Sequence, residues 1–211
     1  MRLPVLMFDF GNVIGLIDYA PMFDRFARRL GVPAGELERV MLMRGAGELG
    51  REFELGRLGP EEFAARVLAL AGFELPYDEF AAAWPDIFTL NEPVARLAGA
   101  LKRRGHPLLL GSNTNVLHAD FYRRRYDEAL APFDHFLFSY EIGAMKPDPA
   151  FFEACVRAVG VPAASCVFID DALANVEGAR LAGLQGVLYQ DLPRLIADLR
   201  ALGVEVPDAE G

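Results

Sequence analysis

Several short apolar runs recur along the chain: Val5–Phe8 before Asp9, Leu108–Leu110 before Gly111 and Ser112, Phe136–Phe138, Val167–Ile169 before Asp170, and Val187–Tyr189. This recurrence restricts the possible folds more than any other feature. Runs of this kind, without polar alternation, read as strands buried on both faces. Helical patterns lie between them: Glu92 to Leu101 ending at Gly105, Leu117 to Tyr126, a stretch holding Phe151, Phe152, Cys155, Val156 and Val159, and Ala172 to Ala182, with Leu192 to Leu202 after the last run. Alternating strands and helices imply a parallel sheet with right-handed crossovers, so the strands' C-terminal ends share one edge. Ligands of open α/β sheets bind at that edge. The expected fold is therefore α/β, a Rossmann-like parallel sheet flanked by helices.

Residues 18–90 have a different character and read as purely helical. Asp18 is placed to cap a helix with Met22, Phe23, Phe26, Ala27 and Leu30 on one face and Arg25, Arg28 and Arg29 on the other, ending at Gly31. A second starts at Val32-Pro33 with Leu37, Val40 and Met41 inward, and Gly45-Ala46-Gly47 interrupts its continuation. A third runs from Gly59-Pro60 to Gly72 and buries Phe63, Val67 and Leu70; a fourth, from Pro76, aligns Tyr77, Phe80, Ala81 and Trp84 until Pro85. The domains expected are a catalytic core of residues 1–17 and 91–211 and an inserted all-helical cap of residues 18–90, lying over the sheet edge as a lid.

Bulk composition narrows the partners. With 211 residues and 53% hydrophobic content the chain can bury a substantial core, and its net charge of -9 argues against nucleic acid or an anionic membrane as a main partner. Its two cysteines, Cys155 and Cys166, fit no metal or redox spacing and read as reduced core thiols. The apolar run near the N-terminus is cut by Asp9, and no stretch approaches the length of a membrane span. A cytoplasmic location is expected.

Asp9, Ser112 and Asp170 each fall just after a strand run, and Lys146 lies a few residues beyond another. Asp9 is the candidate nucleophile. Three carboxylates at one edge, Asp9, Asp170 and Asp171, repel each other by roughly 4 kcal/mol per pair at about 4 Å and an effective dielectric near 20. A cation would relieve this, and so few hard oxygen ligands suit magnesium with retained waters. A plainer role for Asp170 or Asp171 is capping the helix that follows. Lys146 is notable because only two of 21 basic residues, Lys102 and Lys146, are lysines; a compact ammonium suits a phosphoryl oxygen or a crowded carboxylate. Ser112-Asn113 offers a hydroxyl and main-chain N–H groups to an anion, although a simple turn would look the same. Asn115, His118 and Asn175 are candidate orienting groups.

The segments FDFGNV at 8–13, LLLGSNTN at 108–115, GAMKPDP at 143–149 and FIDDALANVEGA at 168–179 together resemble the haloacid dehalogenase-like hydrolases, most closely the bacterial α-D-glucose-1-phosphate phosphatase subgroup. The resemblance implies Asp9 as nucleophile and metal ligand, Gly11 offering its carbonyl to Mg2+, Ser112 and Asn113 holding phosphate, Lys146 neutralising charge, and Asp170 with Asp171 completing the metal site. The function implied is magnesium-dependent hydrolysis of a small phosphorylated metabolite, a sugar phosphate such as a hexose 1-phosphate. Most such phosphatases carry an acid-base aspartate where this chain has Gly11; Asp18 or Glu52 from the cap would be substitutes, and an anomeric leaving oxygen needs less help. Tyr19, Arg44, Glu48 and Glu52 are the candidate specificity residues. The alternatives are a metal-free 2-haloacid dehalogenase, against which the double aspartate counts, and a catalytically silent ligand- or partner-binding member. The oligomeric state has no signature in the sequence.

Overall fold

A computed structural model describes residues 3–43 and 46–206. The chain runs β1 (Val5–Phe8), β2 (Gly15–Ile17), α1 (Ala20–Leu30), α2 (Ala34–Met43), α3 (Ala46–Glu54), α4 (Pro60–Ala71), α5 (Tyr77–Ala83) and β3 (Phe88–Leu90). It continues α6 (Glu92–Arg103), β4 (Leu108–Ser112), α7 (Val116–Arg125), α8 (Asp127–Leu130), β5 (His135–Phe138), α9 (Ser139–Ile142) and α10 (Pro149–Val159). A single 3-10 turn at Ala163–Ser165 leads into β6 (Cys166–Asp170), α11 (Leu173–Leu181), β7 (Gln185–Leu188) and α12 (Leu192–Ala201).

Strands β5-β4-β1-β6-β7 form one parallel sheet in that order, with Phe8 opposite Leu110 on one side and Ile169 on the other. The first strand is thus central, and β4 and β6 deliver their last residues beside its C-terminal end. The period-two alternation of a strand divides the core into two layers. Leu6 and Phe8 join Leu108, Leu110, Val167 and Ile169 against α6, α7 and α12, whereas Val5 and Met7 join Leu109 and Phe168 against Phe151, Phe152 and Cys155 of α10. Both cysteines are buried and free.

Helices α1 to α5 bury a third cluster of their own, built on Met22, Phe26, Leu37, Phe53, Phe63, Val67 and Phe80. Ile17, Phe88, Val116 and Leu117 pack against this cluster and join it to the sheet. The helical insertion was legible as such, and it departs from the sequence reading at two places. Phe88–Leu90 is a strand, paired antiparallel with β2 through Gly15 opposite Leu90. A three-residue strand shows no periodicity of its own and exists because β2 lies beside it. The doubtful stretch after Gly45 forms α3 because Phe53 is drawn into the cluster, stacked on Phe63 at 4.2 Å; tertiary packing overrides weak propensity. The Met41 side chain and Arg44 lie outside the described residues. Among the described residues, no helix is long and apolar enough to cross a membrane.

Candidate active site

The central strand ends in Asp9, and the chain then folds into a tight turn. Phe10 carbonyl accepts from the N–H groups of Ile14 and Gly15 at 2.9 and 2.7 Å. Gly15 is required there, because a Cβ would lie 2.5 Å from the Phe10 ring. Within the turn Asn12 adopts φ 53°, a left-handed conformation that asparagine tolerates better than most residues. Its Oδ1 accepts from Ile17 N at 3.2 Å and its Nδ2 donates to Asp171 Oδ2 at 3.1 Å. One side chain thus shapes the turn after Asp9 and orients the outer carboxylate.

Lys146 Nζ sits 2.7 Å from Asp9 Oδ1 and 2.7 Å from Asp170 Oδ2, and donates to the Gly111 carbonyl at 3.1 Å. Its side chain is 1% exposed, so the ammonium has exchanged water for these three oxygens. Burial alone would depress its pKa, but the Asp9 and Asp170 charges outweigh that and raise it. Burial likewise drives the Asp9 carboxyl up; Lys146 pulls it back, Asp170 pushes it further, and the balance lies at about 7. Asp9 Oδ1 also receives the Phe10 N–H at 2.6 Å, while its other oxygen receives no hydrogen bond from the described residues. Asp170 is fixed by Ala172 N at 2.9 Å and by Asn175 Nδ2 at 3.0 and 3.1 Å to its two oxygens. Asp170 does not cap the helix that follows, since the N-cap of α11 is Ala172 with no side-chain cap bond; it is the Ala172 N–H and the Asn175 amide that orient its two oxygens.

Oxygens of Asp9, Asp170 and Asp171 lie within 4.8 Å of one another. With all three ionised, a single ammonium leaves excess negative charge at the sheet edge. Hard, clustered oxygens with one carboxylate exposed fit a magnesium ion that keeps waters. Gly11, whose carbonyl was the fourth expected ligand, lies two residues past Asp9, and a Cβ there would come 3.0 Å from Ile17 Cδ1.

Ser112 closes β4 in a buried position, and among the described residues its Oγ makes one long contact, 3.4 Å to the Asn113 carbonyl. The Asn113 side chain does not face an anion: Nδ2 donates to the Lys146 carbonyl at 3.0 Å and Oδ1 accepts Lys146 N–H at 2.8 Å. It locks the backbone that carries Lys146, leaving main-chain groups as what Asn113 can offer a phosphate. Asn115 caps α7, accepting from His118 N at 3.1 Å. His118 is buried between Trp84 and Phe88, and desolvation lowers its pKa to about 4.

The other expected residues are not gathered so closely. Glu52 pairs with Arg57 at 2.8 Å on a partly exposed surface, Asp18 accepts from Ala20 N at 2.9 Å, and Glu48 is exposed. Sequence reading missed Glu54, whose carboxyl is lifted by burial to about 7 and whose charge adds to the effect of burial in raising the pKa of Tyr19. Its signal was hidden because it sits among six other charged residues in 48–62 with no motif of its own.

Comparison with known proteins agrees with this geometry. The model of the haloacid dehalogenase-like hydrolases matches residues 6–183. A phosphatase of Mycobacterium tuberculosis is 28% identical over 96% of each chain. A sesquiterpene phosphatase of Aspergillus oryzae is 30% identical over 74% of this chain and 79% of its own, and a D-ribitol-5-phosphate phosphatase of Bacteroides thetaiotaomicron is 27% identical over 85% and 88%. A solved family enzyme from the last organism, in complex with magnesium and inorganic phosphate, superposes with a TM-score of 0.73 at 22% identity, over 90% of this chain and 95% of that one. The chain, an enzyme, belongs to the haloacid dehalogenase-like hydrolase family.

Proposed function

We propose that the chain is a magnesium-dependent phosphomonoesterase acting on a small sugar or polyol phosphate, such as a hexose 1-phosphate, through an aspartyl-phosphate on Asp9. The observation that carries this reading is the buried pairing of Lys146, from the loop before α10, with Asp9 and Asp170 at the ends of the adjacent strands β1 and β6, with Asp171 completing the acidic set and Ser112 ending β4, the strand on the other side of β1. In this reading residues 1–17 and 91–211 carry the chemistry and residues 18–90 form a cap that selects the substrate. The phosphatase names of the relatives support the reaction, and the ribitol phosphate specificity of one supports a polyol. The free buried thiols fit a cytoplasmic setting.

The Asp9 oxygen that receives no hydrogen bond from the described residues attacks phosphorus as a carboxylate; the phosphorus–oxygen ester bond breaks, and the leaving alkoxide takes a proton from water. Water then attacks phosphorus of the aspartyl-phosphate, the bond between phosphorus and the Asp9 oxygen breaks, and inorganic phosphate and a proton leave as the carboxylate is restored. Lys146 holds the other Asp9 oxygen and offers positive charge to the equatorial oxygens, and the Ser112 hydroxyl and the N–H groups after it receive one of them. Asp9, Asp170, Asp171 and the Gly11 carbonyl would hold magnesium, which when bound supplies charge neutralisation to the carboxylates and the phosphoryl group. Gly11 offers no acid to the leaving oxygen, which favours esters whose oxygen departs readily, as an anomeric one does. Phosphate release should be measured over hexose 1-phosphates, hexose 6-phosphates, pentitol phosphates, nucleotides and flavin mononucleotide, with magnesium or with a chelator. Turnover on a sugar or polyol phosphate that the chelator abolishes is expected, and no release from any of them would end the reading.

A further inference from the structure

Gly11 is flanked by hydrocarbon. A Cβ built on it would lie 3.0 Å from Ile17 Cδ1 and 4.0 Å from Ile17 Cγ1, so a side chain at position 11 would compete with the isoleucine for one space. Ile17 is held in that space. It stands opposite Phe88 in the β2-β3 ribbon, its N–H donates to Asn12 Oδ1 at 3.2 Å, and it packs against the core of the helical insertion. Asn12 in turn donates to Asp171 at 3.1 Å, which ties the position of Ile17 to the acidic set. A β-branched side chain in a strand has few rotamers in which to move aside.

The two carboxylates expected to stand in for an acid at position 11 are otherwise engaged. The ribbon continues one step past Ile17, where Asp18 N–H donates to the Ile87 carbonyl at 2.8 Å. Strand alternation therefore turns Asp18 to the face opposite Ile17, where it is exposed and accepts the Ala20 N–H at 2.9 Å. Glu52 is paired with Arg57 at 2.8 Å. What lies beside Gly11 is the isoleucine.

The consequence is chemical. Attack by Asp9 forms one phosphorus–oxygen bond and breaks another, whose electron pair stays on the leaving oxygen. Beside methyl groups and without a proton donor, that oxygen carries its charge until water protonates it, and charge against an apolar wall is costly. We propose that Ile17 is a specificity-determining residue: by filling the place of an acid at position 11, it selects phosphate esters whose leaving oxygen is a weak base. The hemiacetal oxygen of an aldose 1-phosphate meets that condition, and the primary alkoxide of a hexose 6-phosphate or pentitol phosphate does not. This role rests on the phosphatase reading above, in which position 11 faces the leaving oxygen, and it narrows the substrates named there.

The test is kcat/KM, with magnesium, for p-nitrophenyl phosphate and phenyl phosphate, two esters of similar shape whose leaving phenols differ in acidity. Wild type, Gly11→Asp and the double variant Gly11→Asp/Ile17→Ala are compared as full chains. Wild type is expected to favour p-nitrophenyl phosphate by at least about a hundredfold, the low end of what an acid supplies. Gly11→Asp alone should keep that gap, because Ile17 still fills the space. The double variant should narrow it by about tenfold or more through faster turnover of phenyl phosphate. A small gap in wild type, a Gly11→Asp variant that narrows it as far as the double variant does, or a folded double variant with the wild-type gap would each overturn the role of Ile17 and leave the phosphatase reading in place. Wild type and Gly11→Asp decide the matter even where the double variant does not fold. A wild-type protein that releases phosphate from neither ester would overturn both.

Discussion

Lys146 shows how much one side chain carries. Its ammonium faces Asp9, Asp170 and the Gly111 carbonyl and lies over the Phe168 and Phe151 rings at 5.4 and 5.9 Å. Lys146→Met keeps the volume but leaves two buried carboxylates without their cation, and should destabilise the fold by roughly 3–5 kcal/mol in urea titration without magnesium; an unchanged midpoint would contradict this. Glu54 gives the opposite pH signature to a paired acid. Its pKa is raised from 4.5 to about 7, so the folded state holds a proton that the unfolded state releases, and stability is lost as pH rises through that window. Glu54→Gln should match wild type near pH 4 and exceed it by about 1–2 kcal/mol near pH 8 after allowing for partial screening. Melting curves whose gap stays constant with pH would refute it. Asp9, Ser112, Lys146 and Asp170 were legible because each follows a strand run or breaks the chain's preference for arginine. Asn12, Asn113 and Glu54 were not, because what they do depends on partners distant in sequence or on burial.

At the scale of elements, the sheet strands were legible and the short pieces were not. β2 and β3 have three residues each, too few for any pattern, yet they tie both ends of the helical insertion to the turn beyond Asp9. Asn91 reinforces that root, donating to the Val13 carbonyl at 2.9 Å and lying 3.0 Å from the Tyr189 hydroxyl. The opposite contact lies between α3 and α4, where Gly56 at φ 69° abuts α9 so closely that a Cβ would stand 2.2 Å from the Tyr140 carbonyl oxygen. Gly56→Ala combines a left-handed backbone with a backbone clash, so it should cost more than about 1 kcal/mol and shift the corner away from α9. Amide exchange around Tyr140 would rise, and protection equal to wild type would show that the contact does not matter.

For the whole molecule, the alternation of apolar runs and helices gave the parallel sheet and its shared edge, and the resemblance gave the family, whereas the strand order that makes β1 central came only with the structure. The substrate was not legible, since the polar residues of the helical insertion, to which selection is assigned in the proposal above, carry no motif. A chain of net charge -9 accepts an anion only where a local cation faces it, and Lys146 provides that charge beneath an acidic set suited to magnesium. All of this converges on a covalent phosphoryl group at Asp9. The direct measurement is acid quench of the protein during turnover with a phosphate ester and magnesium, followed by mass spectrometry of the peptide spanning Asp9. The account predicts a phosphoryl group on that peptide in the wild type, and for Asp9→Asn both its absence and a fall in turnover of at least about a thousandfold; an Asp9→Asn protein that still releases phosphate at the wild-type rate would contradict it.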